Sequence, residues 1–287
     1  MRISVASGNI GAMADPDVSR RLVQLAEKLG YSTWWTLDNL ASPSPQPHDS
    51  PMDPQLPVVD SFVHLAFIAA YTQRINLGTA VIALPTRPPL LTAKQVASLA
   101  YLSNDRVRLG VGIGYLEPEL KAAGVTFNER GARADEYLQA MRAVWSTDPA
   151  EYEGRYVSIH GVASRPQPAR SPYIAVGGHA DRALHRAVRY GNAWIGGEGP
   201  AGPERAIVKI NELVAQGNRP AELGRLEVIN MVDKLDNERF ERYRQLGVDE
   251  TVIMFEHTSS EAAAASLLLE CASFVSRGRS HAKEPKN

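Results

Sequence analysis

At 287 residues, with 44% hydrophobic and 22% charged side chains, the chain has the makeup of a soluble globular protein with enough apolar material for a large core. The 31 basic and 32 acidic residues nearly cancel, and no long block of one sign occurs. This argues against nucleic acid or a membrane surface as a partner held by bulk charge. The one cysteine, Cys271, cannot build a disulfide framework or a cysteine-rich metal site. A cytoplasmic setting is expected, because the first residues run straight into a strand pattern without a signal-peptide profile. No apolar run approaches the ~18 residues of a membrane span.

Eight short apolar, β-branched runs recur, at residues 2–7, 32–37, 75–84, 107–112, 173–177, 193–196, 226–232 and 251–255. Segments of helical spacing lie between them, the alternation of parallel strands joined by crossover helices. The prediction is α/β: one (β/α)8 TIM barrel over residues 1–276.

In chain order, the first helix carries the clearest signals. Asp15 caps it, Pro16 takes the first position, Val18, Leu22, Leu25 and Leu29 share a face, and Gly30 ends it. An insertion at 41–57 holds Pro43, Pro45, Pro47, Pro51, Pro54 and Pro57, too many for a helix or a central strand. It reads as a loop over the barrel mouth. Helices are predicted over 58–70, 90–101 and 130–145, the last with an apolar face of Tyr137, Leu138, Met141, Val144 and Trp145. A second insertion, 150–168, reads as a hairpin around Gly154. The Ala- and Leu-rich stretch 259–275 forms the closing helix, and residues 277–287 are expected to fray as a polar tail.

Barrels place their working residues at strand C-termini, and three stretches there carry candidates. Gly177 and Gly178, followed by His179 and Ala180, stand between a strand and an amphipathic helix. Backbone N–H groups there can approach an anion, which makes a phosphate site, although a tight turn alone would also ask for two glycines. Gly110, Gly112 and Gly114 alternate along the fourth strand and strip side chains from one face, so that a flat ring can lie on backbone. They do not complete a dinucleotide fingerprint, since Tyr115 stands where its third glycine belongs. The third stretch pairs Ala80 and Val81 with Asp38 and Asn39 at the end of strand two. An acid there can fix a ring or accept a proton, and equally can cap a turn.

Among the histidines, His48 reads as a loop residue, His64 as a satisfied packing residue and His179 as a contact for a cofactor tail. Glu256 and His257 follow the last strand at the catalytic end, with roles left open. Strand alternation sends one of Trp34 and Trp35 inward and the other outward. Neither His-Glu-x-x-His nor Gly-x-Ser-x-Gly occurs, so neither a zinc protease nor a hydrolase elbow is supported.

The runs 74–79, 87–95, 102–114 and 129–131 together resemble the luciferase-like monooxygenase superfamily, and within it the deazaflavin (coenzyme F420) dependent oxidoreductases. Val176-Gly177-Gly178 and Gly191-Asn192-Ala193-Trp194 continue the likeness. The resemblance implies a cofactor phosphate on the turn at Gly177 to Ala180. It also implies a non-prolyl cis peptide at Ala80-Val81, forming a bulge behind the ring. It would further place a ring-contacting pair at Asp38-Asn39. Relatives often carry histidine where Asn39 stands, and asparagine cannot exchange a proton near neutral pH. The sugar-phosphate dehydrogenase branch has an acid after the glycine strand where this chain has Tyr115, with Glu117 two positions on, which argues against that branch.

The expected activity is hydride transfer between F420 and a small organic substrate, with Asp38, Asn39 and Tyr115 as the catalytic candidates. An FMN-dependent monooxygenase is the alternative, and a cofactor-free barrel serving as a binding module a third. A homodimer accompanies the resemblance as an expectation.

Overall fold

A computed structural model describes residues 1–46, 53–197 and 202–280 of the chain, with the side chains of 279 and 280 aside. Eight parallel strands close into a barrel: β1 (Arg2–Ala6), β2 (Thr33–Thr36), β3 (Asn76–Thr79), β4 (Val107–Gly112), β5 (Tyr173–Gly177), β6 (Ala193–Gly197), β7 (Glu227–Val232) and β8 (Glu250–Met254). Each pairs with its neighbours in chain order, and β1 pairs with β8 to complete the ring. The third predicted strand, 75–84, is split. The Ala80–Val81 peptide is cis, as the resemblance implies, and only the short piece Ile82–Ala83 resumes pairing against β4.

The helices between the strands are α1 (Pro16–Leu29), α2 (Ser61–Ala69), α3 (Pro89–Ser103), α4 (Glu117–Ala122), α5 (Arg130–Ser146), α6 (Asp181–Tyr190), α7 (Glu204–Ala215) and α8 (Asn237–Gln245). The Asp15 carboxylate accepts from the N–H groups of Asp17 and Val18, and Gly30 closes α1 at φ 92°, as the capping signals require. α2 starts three residues later than its apolar pattern suggests, because Asp60 caps it through Phe62 and Val63. The closing helix is two, α9 (Glu261–Glu270) and α10 (Ala272–Ser280), meeting at Cys271. The expected tail therefore begins late: Arg277 is helical and donates to Asn237 and Glu241, while 281–287 lie outside the described residues. The hairpin forms from Ala150–Glu153 and Ser158–Val162. In the 41–57 insertion, residues 47–52 and thus His48 lie outside the described residues. No helix among the described residues is long and apolar enough to cross a membrane.

Alternation divides the strand side chains between two layers. Trp35, with Ala6, Ala175, Ala193, Ile195, Ile229 and Val252, fills the barrel interior, while Trp34 points outward into the helix layer against Phe255. A charged plug closes the N-terminal end. The fully buried Glu250 carboxylate accepts from Arg2, Arg108, Ser4 Oγ and Trp35 Nε1 at 3.2, 3.3, 2.7 and 2.9 Å. Burial alone would raise its pKa, but the guanidinium groups of Arg108 and Arg2 hold it below the ordinary carboxylate range. With the bottom plugged and the middle packed, the strand ends at the C-terminal mouth line a hollow of their own.

His64 in α2 is buried but not satisfied, since its Nε2 has no partner. Burial pushes the imidazole down to about 4, against ~6.5 when exposed. As pH falls below ~6.5 the unfolded chain binds this proton and the folded chain does not, so stability is lost toward acid, by about 2 kcal/mol at pH 5. His64→Leu is expected to flatten the fall in urea midpoint between pH 6.5 and 5; equal falls in both proteins would refute the assignment.

Candidate active site

The strand C-termini surround a cavity of about 430 Å³, within the ~300–1,000 Å³ usual for small-molecule sites. Asp38 and Asn39 enter from the end of β2, Ala80 and Val81 from the break after β3, Gly112, Gly114 and Tyr115 from the end of β4, and Gly177, Gly178, His179 and Ala180 from the end of β5. Every catalytic or cofactor candidate chosen from the sequence lines this one hollow.

The reason for the β4 glycines differs from the expected one. A Cβ on Gly110 would stand 1.8 Å from the Thr79 carbonyl oxygen, and one on Gly112 2.7 Å from Val81 Cγ2. A Cβ on Gly177 would crowd the same valine at 3.1 Å. Glycine at these points admits the Val81 side chain. The surface presented to the hollow is thus the Ala80–Val81 bulge rather than bare glycine backbone.

Asp38 is a holding group in this geometry. Its side chain, 2% exposed, accepts from Arg87 at 2.6 Å and from the Ala83 N–H at 3.3 Å. Arg87 also bonds Asp60 at 2.8 Å, so one guanidinium joins strand two, the bulge and the cap of α2. Burial pushes the Asp38 carboxyl above its usual range, with Arg87 pulling against it. Asn39 donates to Ser42 Oγ at 3.0 Å. Tyr115 stands at the rim, 64% exposed.

Two further residues of the lining, one unnamed in the sequence reading and one left there without a role, carry signals. Glu119 on α4 is buried and accepts from the N–H groups of Leu40 and Ala41 at 2.7 and 3.4 Å, tying the 41–57 insertion to the β4 end. Burial pushes its carboxyl up. The sequence offered Glu117 and Glu119 around Pro118, a helix-start signature; the turn of α4 decides that Glu119 faces in. His257 lines the hollow after β8, and burial pushes its imidazole below its ordinary range. With Asp38 and Glu119 engaged, His257 adds an uncharged imidazole to the lining that can accept a hydrogen bond or a proton.

The far end of the hollow has a backbone that an anion can use. Gly178 sits at φ +119°, a conformation that excludes most side chains. Its carbonyl accepts from Trp194 Nε1 at 2.7 Å, and the Trp194 ring meets His179 edge-on with centroids 5.7 Å apart. α6 starts at Asp181 with Ala180 in the cap position and no side chain capping it, which leaves first-turn N–H groups and the positive helix end open to an anion. A bulge at one end and an uncapped helix at the other fit a planar ring that carries a phosphate. Among the described residues no cluster of three or more His, Cys, Asp or Glu is placed to hold a metal.

Comparison with known proteins agrees with this architecture. The profile of the luciferase-like monooxygenase family matches residues 3–250. An uncharacterized protein of Mycobacterium tuberculosis is 32% identical over 263 residues, 89% of either chain. The F420-dependent glucose-6-phosphate dehydrogenase of Amycolatopsis mediterranei is 30% identical over 203 residues, covering 69% of this chain and 58% of that one. Among solved structures, a monooxygenase from Streptomyces bottropensis superposes with a TM-score of 0.78 at 18% identity, over 97% of this chain and 100% of its own. An F420-dependent secondary alcohol dehydrogenase, solved with an F420-acetone adduct, gives 0.77 at 14% identity over 96% and 98%. The chain belongs to the luciferase-like monooxygenase family, and with it is an oxidoreductase that works through a flavin or deazaflavin.

Proposed function

We propose that the chain is an F420-dependent oxidoreductase that passes a hydride between the deazaflavin and a small organic substrate. The observation that carries this reading is the continuity of the hollow from the Ala80–Val81 bulge to the turn at Gly177 to Ala180. The glucose-6-phosphate dehydrogenase relative, which uses F420, supports the deazaflavin over FMN.

When bound, the deazaflavin supplies a ring carbon that takes up or releases a hydride. The chain orients and shields it. Arg87 and Asp38 fix the backbone at Ala83 beside the bulge, and Asn39 presents an uncharged amide to the ring or the substrate. Glu119 ties Leu40 and Ala41 to the end of β4. His257 handles the proton that Asn39 cannot. The walls are largely apolar, with Leu37, Ile113 and Leu116 among them, which suits a substrate of low polarity and excludes water from the reacting carbon.

Fluorescence titration of the purified protein with F420 and with FMN tests the reading. Binding of F420 without FMN is the expected result. The reverse makes the chain an FMN-dependent monooxygenase, and binding of neither makes it a cofactor-free barrel.

A further inference from the structure

The two ends of the hollow differ in charge. Beyond the turn at Gly177 to Ala180 cations gather along α6, where Arg182, Arg186 and Arg189 line a second hollow. At the other end, between the Ala80–Val81 bulge and the rim, no lysine or arginine is among the described residues of the lining. Arg87 is not part of that lining and is already shared by Asp38 and Asp60, at 2.6 and 2.8 Å. The insertion that continues from Ala41 adds Asp49 and Asp53 to the sequence and no lysine or arginine.

Glu119 is the unpaired acid of this end. It is 8% exposed, yet its carboxylate has no ion-pair partner among the described residues, and only one of its oxygens is engaged. Oε1 takes both backbone N–H groups, from Leu40 and Ala41. Oε2 has no hydrogen-bond partner there, and it is not sealed inside the protein as the orphaned His64 Nε2 is; it opens on the hollow that Glu119 lines. Tying the insertion needs one acceptor, which a glutamine would supply equally. A carboxylate this buried normally finds a cation, and here the unused oxygen and the uncompensated charge stand where a small molecule would sit. Tyr115 brings no second charge to the rim, since burial and the Glu119 carboxylate both push its phenol up.

We infer that Glu119 selects the substrate by charge: Oε2 accepts a hydrogen bond from an amine or hydroxyl group on an otherwise apolar molecule, and the same charge turns away phosphorylated and carboxylated molecules. The walls of Leu37, Ala83, Ile113 and Leu116 take the apolar body and, by keeping water out, strengthen the bond to the carboxylate. An anion brought to this end would meet a like charge with no cation in the described lining to offset it. The inference rests on the reading of this hollow as the substrate site of an oxidoreductase and adds to it which substrates are admitted.

Benzylammonium, benzyl alcohol and benzoate serve as probes of similar size and different charge. Each is titrated by calorimetry, near neutral pH, into the wild-type protein and into a Glu119→Gln variant, first without cofactor and then with saturating F420. Glutamine keeps an acceptor for Leu40 and Ala41, and an unchanged melting temperature confirms the variant's fold. The wild-type protein is expected to bind benzylammonium on the order of five- to tenfold more tightly than benzyl alcohol, the difference between a charge-assisted and a neutral hydrogen bond. In the variant that preference should vanish, and benzoate should bind more tightly than it does to wild type. Benzoate held by the α6 arginines is the same in both proteins and cancels. Equal affinity for benzylammonium and benzyl alcohol in wild type overturns the inference, as does a preference that survives in the variant or a benzoate affinity that does not change. A preference lost when F420 is added overturns it too, because Glu119 then faces the cofactor. If F420 fails to bind while the preference holds in the cofactor-free protein, the deazaflavin reading falls and selection by Glu119 stands.

Discussion

Gly178→Val is expected to weaken cofactor binding at least ~100-fold, read as the Kd in a fluorescence titration. Two effects combine. Gly178 holds φ +119°, where a β-branched residue is strained, and an added Cβ would stand 2.9 Å from the Ala183 Cβ in the first turn of α6. The backbone must therefore rotate, and rotation moves the carbonyl that Trp194 Nε1 holds at 2.7 Å. The N–H groups following it then no longer converge on one anion. A strained glycine elsewhere separates this from general destabilisation. Gly247, at φ +78° with nothing within 4 Å of an added Cβ, precedes β8 at the opposite end of the barrel. Gly247→Val should lower the melting temperature through the same backbone strain and leave the Kd unchanged. If Gly178→Val binds like wild type, the anion does not rest on this turn.

Arg87→Met is expected to cost about 3–5 kcal/mol of stability in urea denaturation, the usual price of leaving a buried charge unpaired. Asp38 is 2% exposed and Asp60 33%, and each loses its only cationic partner among the described residues. The Arg87 guanidinium lies over the Phe62 ring, 5.6 Å from its centroid; methionine removes the charge but leaves an unbranched side chain in its place, so that little of the loss comes from an emptied cavity. Combining Arg87→Met with Asp38→Asn should recover part of the loss, because the unpaired buried carboxylate is then gone. A loss below ~1 kcal/mol for Arg87→Met would show that the bridge contributes no more than a surface pair. The result bears on chemistry as well. A strong coupling means that Asp38 is committed to holding the bulge and is not free to act as a base.

Local signals in the sequence were sufficient wherever a structural demand is met by residues close along the chain. The Asp15, Pro16 and Gly30 signals bound α1 because capping involves only the residues next to the helix end. The strand and helix alternation gave the barrel, since period-two and period-3.6 patterns are read from one segment at a time. The two glycines before α6 marked the turn into that helix for the same reason.

Other features depend on groups far apart in sequence and were decided by the tertiary structure. Arg87 meets Asp38 across 49 positions, which turns a candidate base into a structural anchor. The β4 glycines look like a bare platform until Val81, brought in by the break after β3, is seen to fill the space they leave. Glu119 is an ordinary helix residue, and His257 a strand-end residue without a role, until barrel closure brings α4 and the end of β8 to the same mouth. Even the turn at Gly177 to Ala180 gained its context this way. The basic face of α6 is visible in the spacing of Arg182, His185, Arg186 and Arg189, but only packing against α5 makes it concave and continuous with the hollow. The sequence alone thus determined the barrel, its capped helices and the strand ends that come to line one hollow. Long-range contacts decided which charged groups are spent on holding the site and which are left for chemistry, because burial and pairing are properties of the closed barrel and not of any single segment.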